Sequence, residues 1–383
     1  MLKIFFNFLS FSHFISISIT QILFSIIFLF IIYKVWKKDL KFYSERVLYL
    51  FLIFFILYDI SLIVNFNNFP NFNKFIKHIF GWWHYLFFVI SLIFMKNFKP
   101  NFKNIFNFVL AGSAIASFYG FYQFFFLHKR AEGFYSHPLT FGNNLAIVLI
   151  VLYSLIITKY YINKREFWFY IIFFLVNFTA LLISLSRGPI LAFLITVMVI
   201  NVLVYKYKGL IVNIIIVVLF TSIVLFTPAL KQRANDFFNH SWKNTTSSFG
   251  TRVVLWKTSL KIIKDNPFFG IGYNIKREFK KRIKVPVAST AHSHNSYLTI
   301  ACYYGVPALI ILLLIYFYLM KSFWIKNDFF VKVSGIGTIL VYMLEGLTEY
   351  NFGDSEVLMF FWLLIGILYS LNSNKNYTDA VNE

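Results

Sequence analysis

Residues 228–305 read PALKQRANDFFNHSWKNTTSSFGTRVVLWKTSLKIIKDNPFFGIGYNIKREFKKRIKVPVASTAHSHNSYLTIACYYG, the one long polar segment in an otherwise apolar chain. On both sides lie apolar runs of roughly 18 to 22 residues, each long enough to cross a hydrocarbon core of about 30 Å as a helix. Of the 383 residues 59% are hydrophobic and the mean hydropathy is +0.70. A soluble domain has to cover its own surface with polar groups, and this composition cannot do so. The expected fold is therefore all-α and polytopic, and the polar stretch is a long loop between membrane helices.

The runs fall at about residues 4–15, 17–36, 47–65, 79–95, 104–127, 141–162, 167–185, 189–205, 209–227, 295–320, 330–348 and 355–372. They predict about eleven or twelve transmembrane helices, the first run being short. Three parts follow: an N-terminal transmembrane region over 1–227, a long polar loop with amphipathic helices over 228–293, and a C-terminal transmembrane region over 294–383. The apolar stretch Met1 to Phe30 has no small-residue cleavage site and is expected to stay in the membrane. A single cysteine, Cys302, excludes an intramolecular disulfide.

With 36 Lys and Arg against 15 Asp and Glu, the net charge is +21. Most of the basic residues sit in short loops between apolar runs, which suits topology signals and anionic lipid and leaves nucleic acid no surface. Lys34, Lys37, Lys38, Lys41 and Arg46 alternate into the same side as Lys96, Lys99 and Lys103, then Lys159, Lys164 and Arg165, then Lys206 and Lys208, then Lys321, Lys326 and Lys332. The other short loops hold only Lys74, Lys77, Lys129, Arg130 and Arg187. The richer set is expected in the cytoplasm. That puts the long loop outside, with the loop at 128–140, the Ser186-Arg187-Gly188 corner and the turn Glu349 to Asp354.

At that corner Arg187 joins two apolar runs with almost no loop, so it sits at or just inside the outer boundary. It is read either as a snorkelling interface residue or as an anion site, helped by the free N–H groups of the helix that Gly188-Pro189 opens. In the polar stretch, Thr251 is expected to cap a helix from Arg252 to about Lys264, ended by Asp265-Asn266-Pro267. Val253, Trp256, Leu260 and Ile263 form one stripe and Lys257, Lys261 and Lys264 a basic one beside it, the pattern of a helix lying on a membrane surface. A solvated face explains the lysines. It does not explain Arg252, which projects on the other side, toward the membrane domain.

The run Lys276 to Lys284 reads as a solvated charged loop attracted to anionic lipid. His292 and His294, two apart, lack further ligands at usable spacing and there is no Cys pair, so no metal is expected. A histidine at the membrane edge instead suits a general base or a donor to an oxyanion. Glu132, His137 and Asn143 either line a sugar path or solvate a loop. Glu345 and Glu349, at the end of an apolar run, are expected to pair with an arginine or to bind a sugar.

Taken in order, Ser186-Arg187-Gly188, Gly250-Thr251-Arg252 with Trp256, Asn266-Pro267-Phe268-Phe269-Gly270-Ile271-Gly272-Tyr273, His294-Asn295-Ser296-Tyr297-Leu298 and Tyr304-Gly305 resemble the O-antigen ligase and polymerase superfamily of membrane glycan transferases. The likeness covers about residues 130–370, and the order of the motifs around one long loop is more specific than any one of them. It implies transfer of a glycan from undecaprenyl diphosphate to an acceptor on the periplasmic face of the bacterial inner membrane, without metal, nucleotide or other cofactor. In the ligase branch the acceptor is a sugar of the lipid A core. The family's two arginines match Arg187 and Arg252 and its histidine matches His294. His292 is an addition to the usual Ala-His-Asn pattern.

The chemistry fits these residue types. Breaking a sugar from a lipid diphosphate develops charge on the departing oxygens, and two guanidinium groups can hold those oxygens bidentately. His294 is placed to take the acceptor's proton, and direct displacement inverts the anomeric centre. His292, Asn295, Trp256, Glu349 and His137 are candidate substrate-binding residues beside Arg187 and Arg252. A polymerase of the same superfamily would use similar residues. A protein oligosaccharyltransferase is disfavoured, since such relatives tend to carry a further C-terminal domain. A polytopic lipid or drug transporter would instead place its polar residues near the bilayer midplane and show an internal repeat.

Overall fold

The computed structural model describes residues 2–160, 163–239 and 244–371, and among them every regular element is helical. Helices α1 (Leu2–Ser12), α2 (Ile17–Trp36) and α3 (Arg46–Val64) lead to a short α4 (Phe72–His78), a 3₁₀ turn at Gly81–Tyr85 and α5 (Leu86–Phe98). Next come α6 (Phe102–Phe125), α7 (Pro138–Ile157), α8 (Lys164–Ile183), α9 (Arg187–Tyr205) and α10 (Lys208–Phe226). The polar stretch carries α11 (Pro228–Asn239), α12 (Ser248–Asp265) and α13 (Ile275–Arg282), and the chain ends in α14 (Ser296–Trp324), α15 (Phe329–Glu345) and α16 (Ser355–Ser370).

Among the described residues nine helical stretches are long and apolar enough to cross a membrane, with Phe72–Phe98 taken as one. Together with the polar stretch this makes the chain an all-α, polytopic membrane protein. Helix α1, at 11 residues, rises only about 16 Å and is too short to cross. The run expected to be helical from residue 79 begins its α-helix at Leu86. Asp59 explains the delay: it accepts from Trp82 Nε1 at 3.0 Å and Phe80 N at 3.5 Å, holding Phe80 in a left-handed conformation. Helix α7 is enclosed by α8, α9 and α15, while α16 runs along α5 and α14 along α3. Helix α10 leans on α9 and exposes Ile211, Ile214 and Val218, as a helix bathed in lipid does.

The turn-rich Asn266 to Tyr273 has a specific structural task. Helix α14 is broken at Gly305, with φ 86° and ψ 168°, and carries Pro307 just beyond. The Tyr303 carbonyl then faces a proline nitrogen that has no hydrogen, and the Cys302 carbonyl loses Val306 N–H, which donates to Pro267 O at 2.8 Å. Ile271 N and Gly272 N donate to Cys302 O and Tyr303 O, each at 2.8 Å, and Ser61 Oγ reaches Tyr303 O at 2.9 Å and Phe269 O at 2.6 Å. The Cys302 and Tyr303 carbonyls and the Val306 N–H thus all find partners, as irregular backbone at membrane depth requires. A Cβ on Gly270 would lie 2.5 Å from both of those carbonyl oxygens, so the loop can dock only with glycine there.

Gly305 is held equally tightly, since a Cβ would collide with Phe268 O and its φ/ψ belong to a region almost exclusive to glycine. Gly305→Ala should therefore destabilise the fold by about 3 kcal/mol or more, from backbone strain and the collision together. A thermal unfolding midpoint equal to that of the parent protein in detergent would refute this account of the break.

The polar stretch differs from expectation in three ways. Helix α12 is capped by Ser247, whose Oγ accepts from Gly250 N at 3.0 Å, while Thr251 lies inside it, donating to Thr245 O and accepting from Ala288 N. Its buried face is Leu255, Thr258, Ser259 and Ile262, not the expected stripe, and Leu260 is exposed. The cause is packing against α13 and α14: Leu255 and Ile262 share a small core with Ile271, Ile275, Phe279 and Cys302. Lastly, most of the basic run is helical, because Ile275 and Phe279 bury against α12 and Arg282 pairs with Asp265 at 2.5 Å. Residues 240–243 of the stretch lie outside the described residues.

At one end of the bundle Glu45 pairs with Lys96 and accepts from Tyr369 OH at 3.2 Å, Lys326 Nζ binds the Tyr369 and Leu371 carbonyls, and Lys103 pairs with Glu166 at 2.8 Å. These lysines all belong to the set that the charge distribution assigns to one side. The α7 and α9 entrances, the α14 entrance and the turn after α15 converge elsewhere.

Candidate active site

The entrance of α14 is stitched to the turn that follows α15. Asn295 caps α14 by accepting from Leu298 N at 2.9 Å, and its Nδ2 donates to Leu347 O at 3.0 Å. Ser296 N donates to Gly346 O at 2.7 Å and Ser296 Oγ to Glu349 O at 3.0 Å. Just before the cap, His294 takes a left-handed φ of 50°, a strained choice for a side chain of its size. Ser293, fully buried, holds that turn closed through Asn295 O at 2.8 Å and Thr299 Oγ1 at 2.5 Å.

This stitching brings Glu349 to the histidines. His294 Nδ1 lies 3.1 Å from Glu349 Oε1 and 3.3 Å from Oε2, and His292 Nε2 lies 3.8 Å from Oε1. Arg252 reaches across from α12 with Nη2 at 3.6 Å from Oε2. The two imidazole rings are 4.2 Å apart and His292 also packs 5.5 Å from the Tyr350 ring. His292 is therefore part of the cluster rather than standing out on the loop. Its Nδ1 accepts the His294 backbone N–H at 3.1 Å. Trp256 ties α12 to the same turn through Nε1 to Ser293 O at 3.0 Å.

Burial sets the electrostatics. It pushes the His292 pKa down to about 4, with the neighbouring His294 and Arg252 adding to this and Glu349 opposing, so this ring is neutral near pH 7. Burial would raise the Glu349 carboxyl, but the His294 hydrogen bond and the neighbouring His294, His292 and Arg252 outweigh it and hold Glu349 below the usual range. Burial also lowers the Arg252 guanidinium, with Glu349 opposing. The long 3.6 Å contact is an ion pair without a hydrogen bond, so it orients Arg252 while leaving its donors for another anion.

Arg187 opens α9 at the same end. Gly188 lies against Thr348, where an added Cβ would come within 2.7 Å of Oγ1, so the first turn of α9 abuts the residue preceding Glu349. The corner before it is clamped by Arg130, whose Nε donates to Ser184 O at 2.9 Å and whose Nη2 donates to Ser186 Oγ at 3.0 Å and Leu185 O at 3.3 Å. Nothing in the sequence singled out Arg130 from the other loop charges. His137 is exposed and caps α7 through Nδ1, which accepts from Leu139 N at 3.1 Å, and it makes no hydrogen bond or ion pair with the cluster.

Two further expectations are corrected. Glu345 meets neither an arginine nor the surface: it is fully buried and accepts from Asn351 Nδ2 at 3.3 Å, while Asn351 Oδ1 accepts from Asn143 Nδ2 at 3.0 Å. Asn143 is thus a buried partner and not a loop-solvating residue. The third metal-ligand type absent from the local sequence is supplied from a distance, since one ligand atom each from His292, His294 and Glu349 lies within 4.8 Å of the others. Local spacing misses Glu349 because 55 residues separate it from His294.

Two comparisons bear on this arrangement. Residues 171–313 match the family model described as O-Antigen ligase, a stretch that runs from α8 into α14 and includes Arg187, Arg252, His292 and His294. A protein of Haemophilus influenzae, named only as uncharacterized, is 26% identical over 311 residues, which cover 75% of this chain and 76% of that one. The match falls on the α9 corner, the polar stretch and the α14 entrance that the residues of the motifs marked out, and over these residues the chain is similar to the O-Antigen ligase family.

Proposed function

We propose that the protein is an O-antigen ligase that transfers a glycan from undecaprenyl diphosphate to a sugar of the lipid A core, on the periplasmic face of the inner membrane. The observation that carries the reading is the Glu349 cluster, in which one carboxylate is shared by a histidine suited to proton transfer and an arginine suited to phosphate. Nδ1 of His294 donates to Glu349, which leaves the Nε2 lone pair for the acceptor hydroxyl. As the hydroxyl proton moves to Nε2, the acceptor oxygen bonds to the anomeric carbon from the face opposite the diphosphate. The bond from that carbon to the diphosphate oxygen breaks, and its electrons stay on the oxygen held by Arg252 and Arg187. Glu349 offsets the charge of the imidazolium so formed. The anomeric centre inverts, and no metal or nucleotide takes part.

Purified lipid-linked glycan, supplied with and without a lipid A core acceptor, tests the assignment. A ligase makes product only with the acceptor; a ladder of longer lipid-linked glycans formed without it would make the protein a polymerase. Orientation has its own test. Single cysteines placed in 228–239 or 244–293 should react with a membrane-impermeant thiol reagent in spheroplasts, and those in 37–45 and 321–332 should not. Protection of the long polar stretch would overturn the periplasmic reading.

A further inference from the structure

We propose that His292, His294 and Glu349 form a binding site for a zinc-class divalent cation, and that a bound cation silences the site. Zinc holds nitrogen ligands at about 2.0–2.1 Å and oxygen at about 2.0–2.2 Å, so two ligands of one tetrahedral ion stand about 3.4 Å apart. The His294 Nδ1 to Glu349 Oε1 separation of 3.1 Å and the His292 Nε2 to Oε1 separation of 3.8 Å bracket that value, and one ligand atom from each of the three residues lies within 4.8 Å of the others. Three ligands fixed in this way leave one position open, as zinc sites outside purely structural roles do. Two imidazole nitrogens and one carboxylate select zinc and its neighbours over magnesium and calcium, which prefer all-oxygen sets.

The nearby Arg252 does not preclude a cation: Oε1 is the oxygen nearer to both histidines, and Oε2, which also lies 3.3 Å from His294 Nδ1, is the one the guanidinium approaches at 3.6 Å. His292 has to change tautomer and turn its Nδ1 away from the His294 backbone N–H, which the metal–nitrogen bond has to offset. Coordination also replaces the proton between His294 Nδ1 and Glu349. It would fix the two groups on which proton transfer from the acceptor depends, so the silencing rests on the function proposed above, whereas coordination does not.

The test uses the full-length protein in detergent, freed of metal by a chelator. Titration with Co²⁺ should give the visible absorption of a tetrahedral site that saturates at one ion per chain, and Zn²⁺ should displace it. His292→Ala and Glu349→Gln should each weaken binding by roughly tenfold or more, while His128→Asn, at an exposed position outside the cluster, should leave it unchanged. Should either site variant fail to fold, acylation of the parent protein by diethyl pyrocarbonate, mapped by mass spectrometry, serves instead: Zn²⁺ should protect His292 and His294 but not His128. Absence of saturable binding, undiminished binding in both variants, or protection confined to other histidines would overturn the site. Stoichiometric binding with undiminished glycan transfer would overturn the silencing and would count against the role given to His294.

Discussion

Arg252→Lys should lose most glycan transfer, by about a hundredfold to a thousandfold in kcat, although the positive charge is kept. Arg252 comes from the electropositive first turns of α12, is largely buried, and is aimed by Glu349 across a 3.6 Å gap. A guanidinium so held offers two parallel N–H donors to the oxygens of a departing diphosphate, and an ammonium offers one compact charge that cannot match them. Arg187→Ala should lose activity on a similar scale, since α9 opens beside the same turn. Kinetics of purified variants with lipid-linked glycan check both. Near-parental turnover of Arg252→Ala at normal expression would reduce this residue to an orienting partner of Glu349.

His294→Asn should cut transfer by about a hundredfold to ten-thousandfold, the range for loss of a general base. Asparagine is the informative replacement because His294 has a φ of 50°, a conformation that asparagine tolerates and alanine resists. Donor binding should change little, since both arginines remain. His292→Ala should be milder, because His292 stands 3.8 Å from the carboxylate where His294 stands 3.1 Å, and it is His294 that adjoins the capped entrance of α14. A His294→Asn protein that turns over at near the parental rate, or a dead His292→Ala beside an active His294→Asn, would reverse the assignment.

The division between what was legible in the residues and what was not follows physical lines. Apolar runs announce membrane helices because a bilayer demands an unbroken apolar stretch and internal hydrogen bonding, which is a one-dimensional property. Helix ends were readable wherever a local signal decides them, as at the Asp265-Asn266-Pro267 stop of α12. The cap of the same helix went to Ser247 rather than Thr251, and its buried face turned to Leu255 and Ile262, because α13 and α14 supplied the surface and no periodicity within α12 reports what lies beside it. The motif residues Arg187, Arg252 and His294 stood out as polar groups at apolar boundaries. The partnership of His294 with Glu349, the clamp of Arg130 on the α9 corner and the docking of Asn266 to Tyr273 into the break of α14 join residues 31 to 56 positions apart. By itself the sequence determined a polytopic helical membrane protein with one long polar stretch bearing the candidate groups. Only the tertiary structure decided which of those groups meet, because hydrogen bonds between an interrupted helix, a capped helix entrance and a distant turn depend on distances in space that the order of residues does not contain.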